Sequence, residues 1–459
     1  MSDGDASEVK QSKITHPAVL TSPTLPTAAG SGSTANFPTA SFISLANEYD
    51  EKQKRRDELS RPLQSVSRAC HTAVFHLHRG EMDTALALLA TASAELQRVK
   101  EVQVAGEEEE GGKFGAFKGA NEAYVKAQAM VTFFQTGRLV RLAQLPHASY
   151  HEYLPGVIGF AQELQRYALR QGARRDMASL QLCKQLVEAL NAELMLFDFR
   201  NGPLRVKYDS VKYVVRRMED TVFELSLQEG VEVPVGATPA AEGVAVDAST
   251  LVVDGAEFEV MRAEMEAYDA QREDVIKQCR DMQKAAKTSI YQLHRGNLDQ
   301  AKAQLDSVLA QVTEMMPTIN ANKGLRAGSF SAVLEEYAEG LLFYRFLKDG
   351  LVLPMEDLQP CNAQEYLGGV LDLTGEVCRW AVAQATKRET AKVEQAREMV
   401  EAVLGSTTSL SGLPGNVYKK LNGVEATLKK LDTIAYELSL TRKSGAATAD
   451  APEPAANAE

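Results

Sequence analysis

The chain has a single tryptophan, few aromatics (7% of 459 residues) and only five cysteines, none of them spaced as CxxC. Cys70, Cys183, Cys279, Cys361 and Cys378 are far apart and odd in number, so neither a disulfide framework nor a zinc-ligand array is indicated. They are expected to be reduced residues of a core. No uncharged apolar run approaches the roughly 20 residues that a membrane-spanning helix requires. The first residues, MSDGDASEVKQSK, lack the basic-then-apolar order of a secretory leader. A cytoplasmic and nuclear protein with no membrane association is expected. Sustained period-two alternation is also missing, and with it any sign of strands.

Positive charge is in short supply. The net charge is -12, and phosphate binding is dominated by Lys and Arg contacts, so the total by itself argues against nucleic acid. The acid is unevenly spread, however. Phe42 to Leu227 carries 25 Lys and Arg against 24 Asp and Glu, and four of those acids form the run Glu107 to Glu110. Flanked by glycine, that run reads as a solvated loop. Local basic patches are therefore compatible with an acidic whole.

What the sequence does contain is repetition. LHRG occurs at Leu77 to Gly80 and again at Leu293 to Gly296; ELSL at Glu224 to Leu227 and Glu437 to Leu440; Glu-Tyr-Leu at Glu152 to Leu154 and Glu365 to Leu367. The offset is 216 residues for the first pair and 213 for the other two. So steady a displacement marks a tandem duplication. Both copies show apolar residues three and four apart, as in Val74, Leu77, Leu86, Leu89 and in Val215, Met218, Val222, Leu225, the period of amphipathic helix. Gly80 and Gly296, with His and Arg just before them, read as helix stops. The fold class expected is all-α: two tandem multi-helix bundles, at 41–228 and 257–443. A Ser-, Thr- and Pro-rich tail at 1–40, a linker at 229–256 and a tail at 444–459 are expected to be disordered.

Longer stretches resemble the translin family of RNA- and single-stranded-DNA-binding proteins. NGPLRVKYDSVKYVVRRMEDTVFELSL (Asn201 to Leu227) is similar to the family's closing helices, Tyr153-Leu154-Pro155-Gly156-Val157 to its Tyr-Leu-x-Gly-Val pattern, and FISLANEYDEKQKRRDELSR to its long first helix. The second copy resembles the branch of translin-associated factor X: Gly369-Val370-Leu371-Asp372-Leu373-Thr374-Gly375-Glu376 follows its Gly-Val-x-Asp-Leu-Thr-Gly-Glu pattern, and Glu336-Tyr337-Ala338-Glu339 its Glu-Tyr-x-Glu segment. The ending SGLPGNVYKKLNGVEATLKKLDTIAYELSL is also similar to that branch. The two proteins ordinarily co-assemble as separate chains into a closed shell around RNA. Here the two halves that resemble them are joined in one chain, which would set their ratio at one to one.

Glu336 and Glu339 lie three apart on an expected helix, and Asp372 and Glu376 four apart on another, so each pair shares a face. If the faces meet, four carboxylates converge, and an all-oxygen cluster suits Mg2+ or Mn2+. Such a cation could assist attack on a phosphodiester, and the resemblance implies a magnesium-dependent ribonuclease with acids at these positions. Such pairs are also ordinary on solvated helix faces. The first copy serves as a control: at the 213-residue offset it has Ala123, Lys126 and Gly159, and only Glu376 keeps its acid, as Glu163. Folding alone does not need the other three.

For phosphate contacts the candidates are Arg55, Arg56, Lys118, Arg138, Arg141, Arg174 and Arg175, with Arg216 and Arg217 repeated as Lys429 and Lys430. Such contacts supply affinity without reading sequence. The expected function is binding of single-stranded RNA or DNA, with metal-dependent endoribonuclease activity in the second copy. A non-catalytic binding shell and a protein-interaction scaffold are the alternatives. A homo-oligomer is expected, possible additional partners being separate translin-family chains.

Overall fold

The computed structural model describes residues 37–105, 115–227, 252–408 and 410–447. The run Glu107 to Glu110 lies outside the described residues, as do 1–36 of the expected N-terminal tail, 229–251 of the expected linker and 448–459 of the C-terminal tail.

Twelve α-helices account for most of the described residues, and no strand occurs among them. The first copy comprises α1 (Thr39–Arg79), α2 (Met82–Ala105), α3 (Gly115–Thr136), α4 (Tyr150–Ala173), α5 (Met177–Met195) and α6 (Pro203–Ser226). The second comprises α7 (Gly255–His294), α8 (Leu298–Ala321), α9 (Ser329–Asp349), α10 (Ala363–Thr386), α11 (Thr390–Thr407) and α12 (Gly415–Ala447). Packing follows the duplication. α1 lies on α2 and α3, and α4 on α3, α5 and α6; α7 lies on α8 and α9, and α10 on α9, α11 and α12. The all-α, two-copy class expected from sequence is the one observed.

The repeated phrases have local physical causes. In LHRG the glycine takes the left-handed backbone conformation, φ 82° at Gly80 and 81° at Gly296, which an L side chain resists. The Gly80 amide donates to the Leu77 carbonyl and Gly296 to Leu293, both at 3.0 Å, ending the helix. In Glu-Tyr-Leu the glutamate is the third residue of a capping box: Glu152 accepts from the Ser149 amide, and Glu365 from the Asn362 amide. The tyrosine is buried, and its hydroxyl donates at 2.8 Å to the Val140 carbonyl in one copy and to Leu353 in the other.

The long helices exchange their first turns. Phe42, Leu45 and Tyr49 of α1 belong to the core of the second copy, whereas Leu63 onward belongs to the first. Reciprocally, Phe258 and Met261 of α7 are buried in the core of the first copy, and Val275 onward in the second. Phe42 rests on Tyr366 and Phe258 on Tyr153, with ring centroids 6.0 and 6.1 Å apart. Fully burying a phenylalanine is worth about 1.5–3 kcal/mol, so each copy donates a sizeable anchor to the other. Arg200 adds ion pairs to Asp269 (2.8 Å) and Glu273 (2.9 Å) of α7. Ser41 of α1 donates to Glu356 at 2.7 Å. The duplicated halves are folded into one another, an arrangement equivalent to a two-fold dimer made inside one chain.

Candidate carboxylate site

All four acids singled out from sequence stand on two helices that touch: Glu336 and Glu339 on α9, Asp372 and Glu376 on α10. The close approach is made by glycine. A Cβ at Gly369 would lie 2.7 Å from Ala338 Cβ and 2.9 Å from the Glu339 amide nitrogen, so no other residue fits without parting the helices. In the first copy Gly156 makes the same approach, where a Cβ would fall 2.6 Å from Val125. The crossing precedes Asp372 by one turn and brings the two acidic faces together.

The four carboxyls lie within electrostatic range of one another. Glu339 is only 8% exposed. Burial, then Asp372, Glu336 and Glu376, raise its carboxyl to about 9, against the opposing pull of Lys287. Asp372 is raised to about 6 by burial, Glu336 and Glu376, although it also forms an ion pair with Lys420. Glu376 moves oppositely: a hydrogen bond with His294 holds it below the ordinary carboxylate range.

The outer acids are each engaged by a basic side chain. Lys287 Nζ lies 3.2 Å from Glu336, His294 Nε2 shares a hydrogen bond with Glu376, and Lys420 of α12 pairs with both Asp372 and the neighbouring Glu335. Among the described residues, Glu339 makes neither a hydrogen bond nor an ion pair. The four acids influence one another, but no three His, Cys, Asp or Glu side chains among the described residues stand close enough to hold a metal ion between them. The donor set fits a hard divalent cation in its chemistry, and closing on one requires side-chain rotation away from these basic partners.

The first copy performs the same packing with opposite charge. Lys126 stands at the position of Glu339 and lies 3.7 Å from Glu163, the counterpart of Glu376. Gly159, at the position of Asp372, leaves room for it: a Cβ there would come 3.3 Å from Lys126 Cδ. His78 holds Glu163 at 3.1 Å, as His294 holds Glu376, and Lys207 holds Glu122, as Lys420 holds Glu335. Glu163 is consequently held below the usual range, first by its hydrogen bond with His78.

Lys287, His294, Lys420 and Glu335 were not singled out from sequence. His294 lies within LHRG, whose recurrence reads fully as a helix stop; the structure adds that its histidine points at an acid in both copies. The repeated Lys–Glu pairs share the 213-residue offset but are 85 residues apart in sequence, with no local motif to advertise them. The basic candidates remain dispersed. Arg55 and Arg56 are on α1, Lys118 on α3, Arg138 and Arg141 between α3 and α4, Arg174 and Arg175 after α4, Arg216 and Arg217 on α6, and Lys429 and Lys430 on α12. All are exposed except the half-buried Arg56 and Arg138. Arg141 pairs with Asp254 at 3.5 Å and Lys429 with Glu425 at 2.9 Å. All five cysteines are buried and unpaired. Among the described residues no helix is long and apolar enough to cross a membrane.

A duplicated helical bundle with one acidic and one lysine-filled version of the same crossing defines a class of tandem α-helical protein. The Translin family profile matches residues 54–229 and 270–442, so this chain belongs to the translin family. Both matched stretches begin beyond the exchanged first turns of α1 and α7. The chain is similar to translin of Gallus gallus, 30% identical over 82 residues, covering 18% of this chain and 36% of that protein. It is also similar to the translin-associated protein X homolog of Schizosaccharomyces pombe, 28% identical over 124 residues, covering 25% of this chain and 54% of that one. It thus spans between about a third and about half the length of these relatives. Among solved structures, apo-NeC3PO and AfC3PO align with a TM-score of 0.36 and 18% identity, covering 39% and 40% of this chain and 96% and 97% of theirs.

Proposed function

We propose that this protein binds single-stranded nucleic acid and that its second copy is a metal-dependent endoribonuclease. The observation that carries the reading is Glu339, a buried carboxylate facing three others where the first copy has Lys126. An acid in so unfavourable a place is a functional-site signal, because packing alone is served equally well by the lysine version. Glu336, Glu339, Asp372 and Glu376 would hold Mg2+ or Mn2+, ions that prefer all-oxygen donors. Such a cation supplies Lewis acidity toward a phosphodiester. The protein's own part is to orient the carboxylates: Gly369 sets the helix separation and His294 fixes the rotamer of Glu376. Lys287 and Lys420 keep charge balance and stand ready to meet phosphate oxygens.

Binding would draw on the exposed arginines and lysines, with affinity that falls as salt rises. Assembly of several copies is supported by exposed apolar residues at equivalent places, Phe223 on α6 and Leu227 at its C-terminal end, and Tyr436 and Leu440 on α12. Separate translin-family chains could join through the same faces. The deciding experiment is cleavage of a labelled single-stranded RNA with magnesium or manganese. Activity should vanish with a chelator, and equal cleavage in its presence overturns the nuclease reading. Binding without cleavage is the second reading, favoured by the engagement of the outer acids by Lys287, His294 and Lys420.

A further inference from the structure

Beside the carboxylate site, and including its Lys287, runs a surface separate from the arginines and lysines singled out in the sequence. Arg280, Lys284, Lys287, Tyr291 and Arg295 are four, three, four and four residues apart on α7, hence on one face, and all are exposed. The buried face of the same turns is Met282, Ala286, Ser289, Ile290 and Leu293. From Met282 to Arg295 the helix has no acidic residue. In a chain of net charge -12 this is a concentrated positive strip. An open recess of about 420 Å³ lies along it, lined by Arg280, Gln283, Lys284, Lys287, Thr288 and Tyr291.

Tyr291 is 52% exposed. Arg295 lies against it, the guanidinium carbon 5.6 Å from the ring centroid, and donates to the tyrosine hydroxyl at 2.8 Å. The ring is thereby braced on one side while lining the recess. Lys287, in the same lining, reaches Glu336 of the carboxylate site, and His294, three residues after Tyr291, holds Glu376. The first copy repeats the ring and the cation as Phe75 and Arg79, 5.6 Å apart. There, however, Glu81 pairs with Arg79 at 2.6 Å. At the position of Glu81 the second copy has Asn297, and among the described residues Arg295 has no carboxylate partner.

We propose that Tyr291, braced by Arg295, is a stacking platform for one unpaired base of a single-stranded nucleic acid. Lys284 and Lys287 hold the flanking phosphates and lead the strand to the carboxylates. An exposed aromatic among cations is how single strands are gripped without sequence reading, since every base offers a π face. A duplex keeps its bases stacked inside, so the platform selects single strands or flipped bases. This rests on the nucleic-acid reading above and adds the substrate feature recognised.

The test uses the full chain and single-stranded RNA oligomers carrying 2-aminopurine at successive positions. Fluorescence at one position should be quenched on binding by the parent and by Tyr291→Phe, and left unquenched by Tyr291→Ala. Tyr291→Ala should bind roughly tenfold more weakly, the scale of losing one base–aromatic stack. An oligomer abasic at that position should bind the parent and Tyr291→Ala alike. Phe75→Ala should leave that quench in place. Salt-sensitive binding with the same quench in Tyr291→Ala overturns this inference alone. Failure of the parent to bind any single strand overturns it together with the binding function on which it rests.

Discussion

The two helix crossings, α3 with α4 and α9 with α10, solve one packing problem with opposite charges. In the first, Lys126 and His78 both engage Glu163, whose carboxyl is held below the usual range. In the second, Glu339 and Asp372 replace Lys126 and Gly159, and both carboxyls are driven up to about 9 and about 6. A fold that tolerates either version does not need the costlier one for stability. The difference separates what the bundle requires, namely the glycine approach and the His–Glu and Lys–Glu pairs present in both copies, from what only the second copy carries.

The harshest way to break this comparison is to remove the acids. Glu339→Ala or Asp372→Ala should lower magnesium-dependent RNA cleavage by more than about 100-fold, beyond the 10–100-fold usual for losing a partner behind a ligand. Glu163→Gln should retain the parent rate in the same single-turnover assay. Full activity in both second-copy variants would leave the acid cluster a structural curiosity and favour binding without cleavage.

Next in size is the exchange of helix ends. Phe258→Ala should cost about 3–5 kcal/mol, the usual range for a buried phenylalanine, and the loss should appear first in amide exchange of α4 and α5, in the copy that receives the ring. Phe42→Ala should do the same to α10. Loss of protection confined to the donor's own copy would show that the ends do not cross in solution.

The two acids should also differ in the sign of their pH dependence when no metal is added. Glu339 is raised to about 9 from an ordinary 4.5, so the folded state binds more protons than the unfolded one between those values, and stability falls as pH rises across that window. Asp372, Glu336 and Glu376 face it and add to the effect, while Lys287 reduces it. Glu339→Gln should therefore raise the Tm by a few degrees at pH 8, about 1 kcal/mol being worth roughly 2–4 °C in bundles of this size, and by much less at pH 5. Glu163 is shifted downward, so its contribution is present at neutral pH and fades as pH falls through its folded pKa. Glu163→Gln should lower the Tm at pH 7 and approach the parent as pH falls through that lowered pKa. A parallel response in the two variants would contradict the assigned charges.

The smallest effect is expected at the surface. Reversing Arg216 and Arg217 together should weaken binding of all single strands alike. The slope of log affinity against log salt should lessen by about 1.4, since each phosphate neutralised by a basic side chain contributes about 0.7 on a single strand. A sequence-dependent loss would mean that α6 reads bases and does not merely track the backbone.

Much of this was legible in the chain before folding. The offsets of Glu-Tyr-Leu and LHRG show the duplication, and the 3.6-residue period shows helix, because both are local patterns. The pairs Glu336–Glu339 and Asp372–Glu376 could be placed on common faces for the same reason. Their partners could not. Lys420 acts on Asp372 from 48 residues away, and His294 on Glu376 from 82, distances over which no periodicity operates. The exchange of first turns by α1 and α7 was also hidden, since Phe42 and Phe258 look like ordinary core residues of their own copies.

Local propensity and apolar spacing, written in the sequence itself, determined that this protein is helical, duplicated and divided into an acidic and a lysine-bearing version of one motif. Which core each long helix end enters was decided only in three dimensions, because a phenylalanine gains equally from any apolar cavity of the right shape and the two copies offer the same one. The charge state of the site was decided there too. A carboxylate titrates according to its burial and its neighbours, and Glu339 acquires both only when Gly369 lets α10 close on α9.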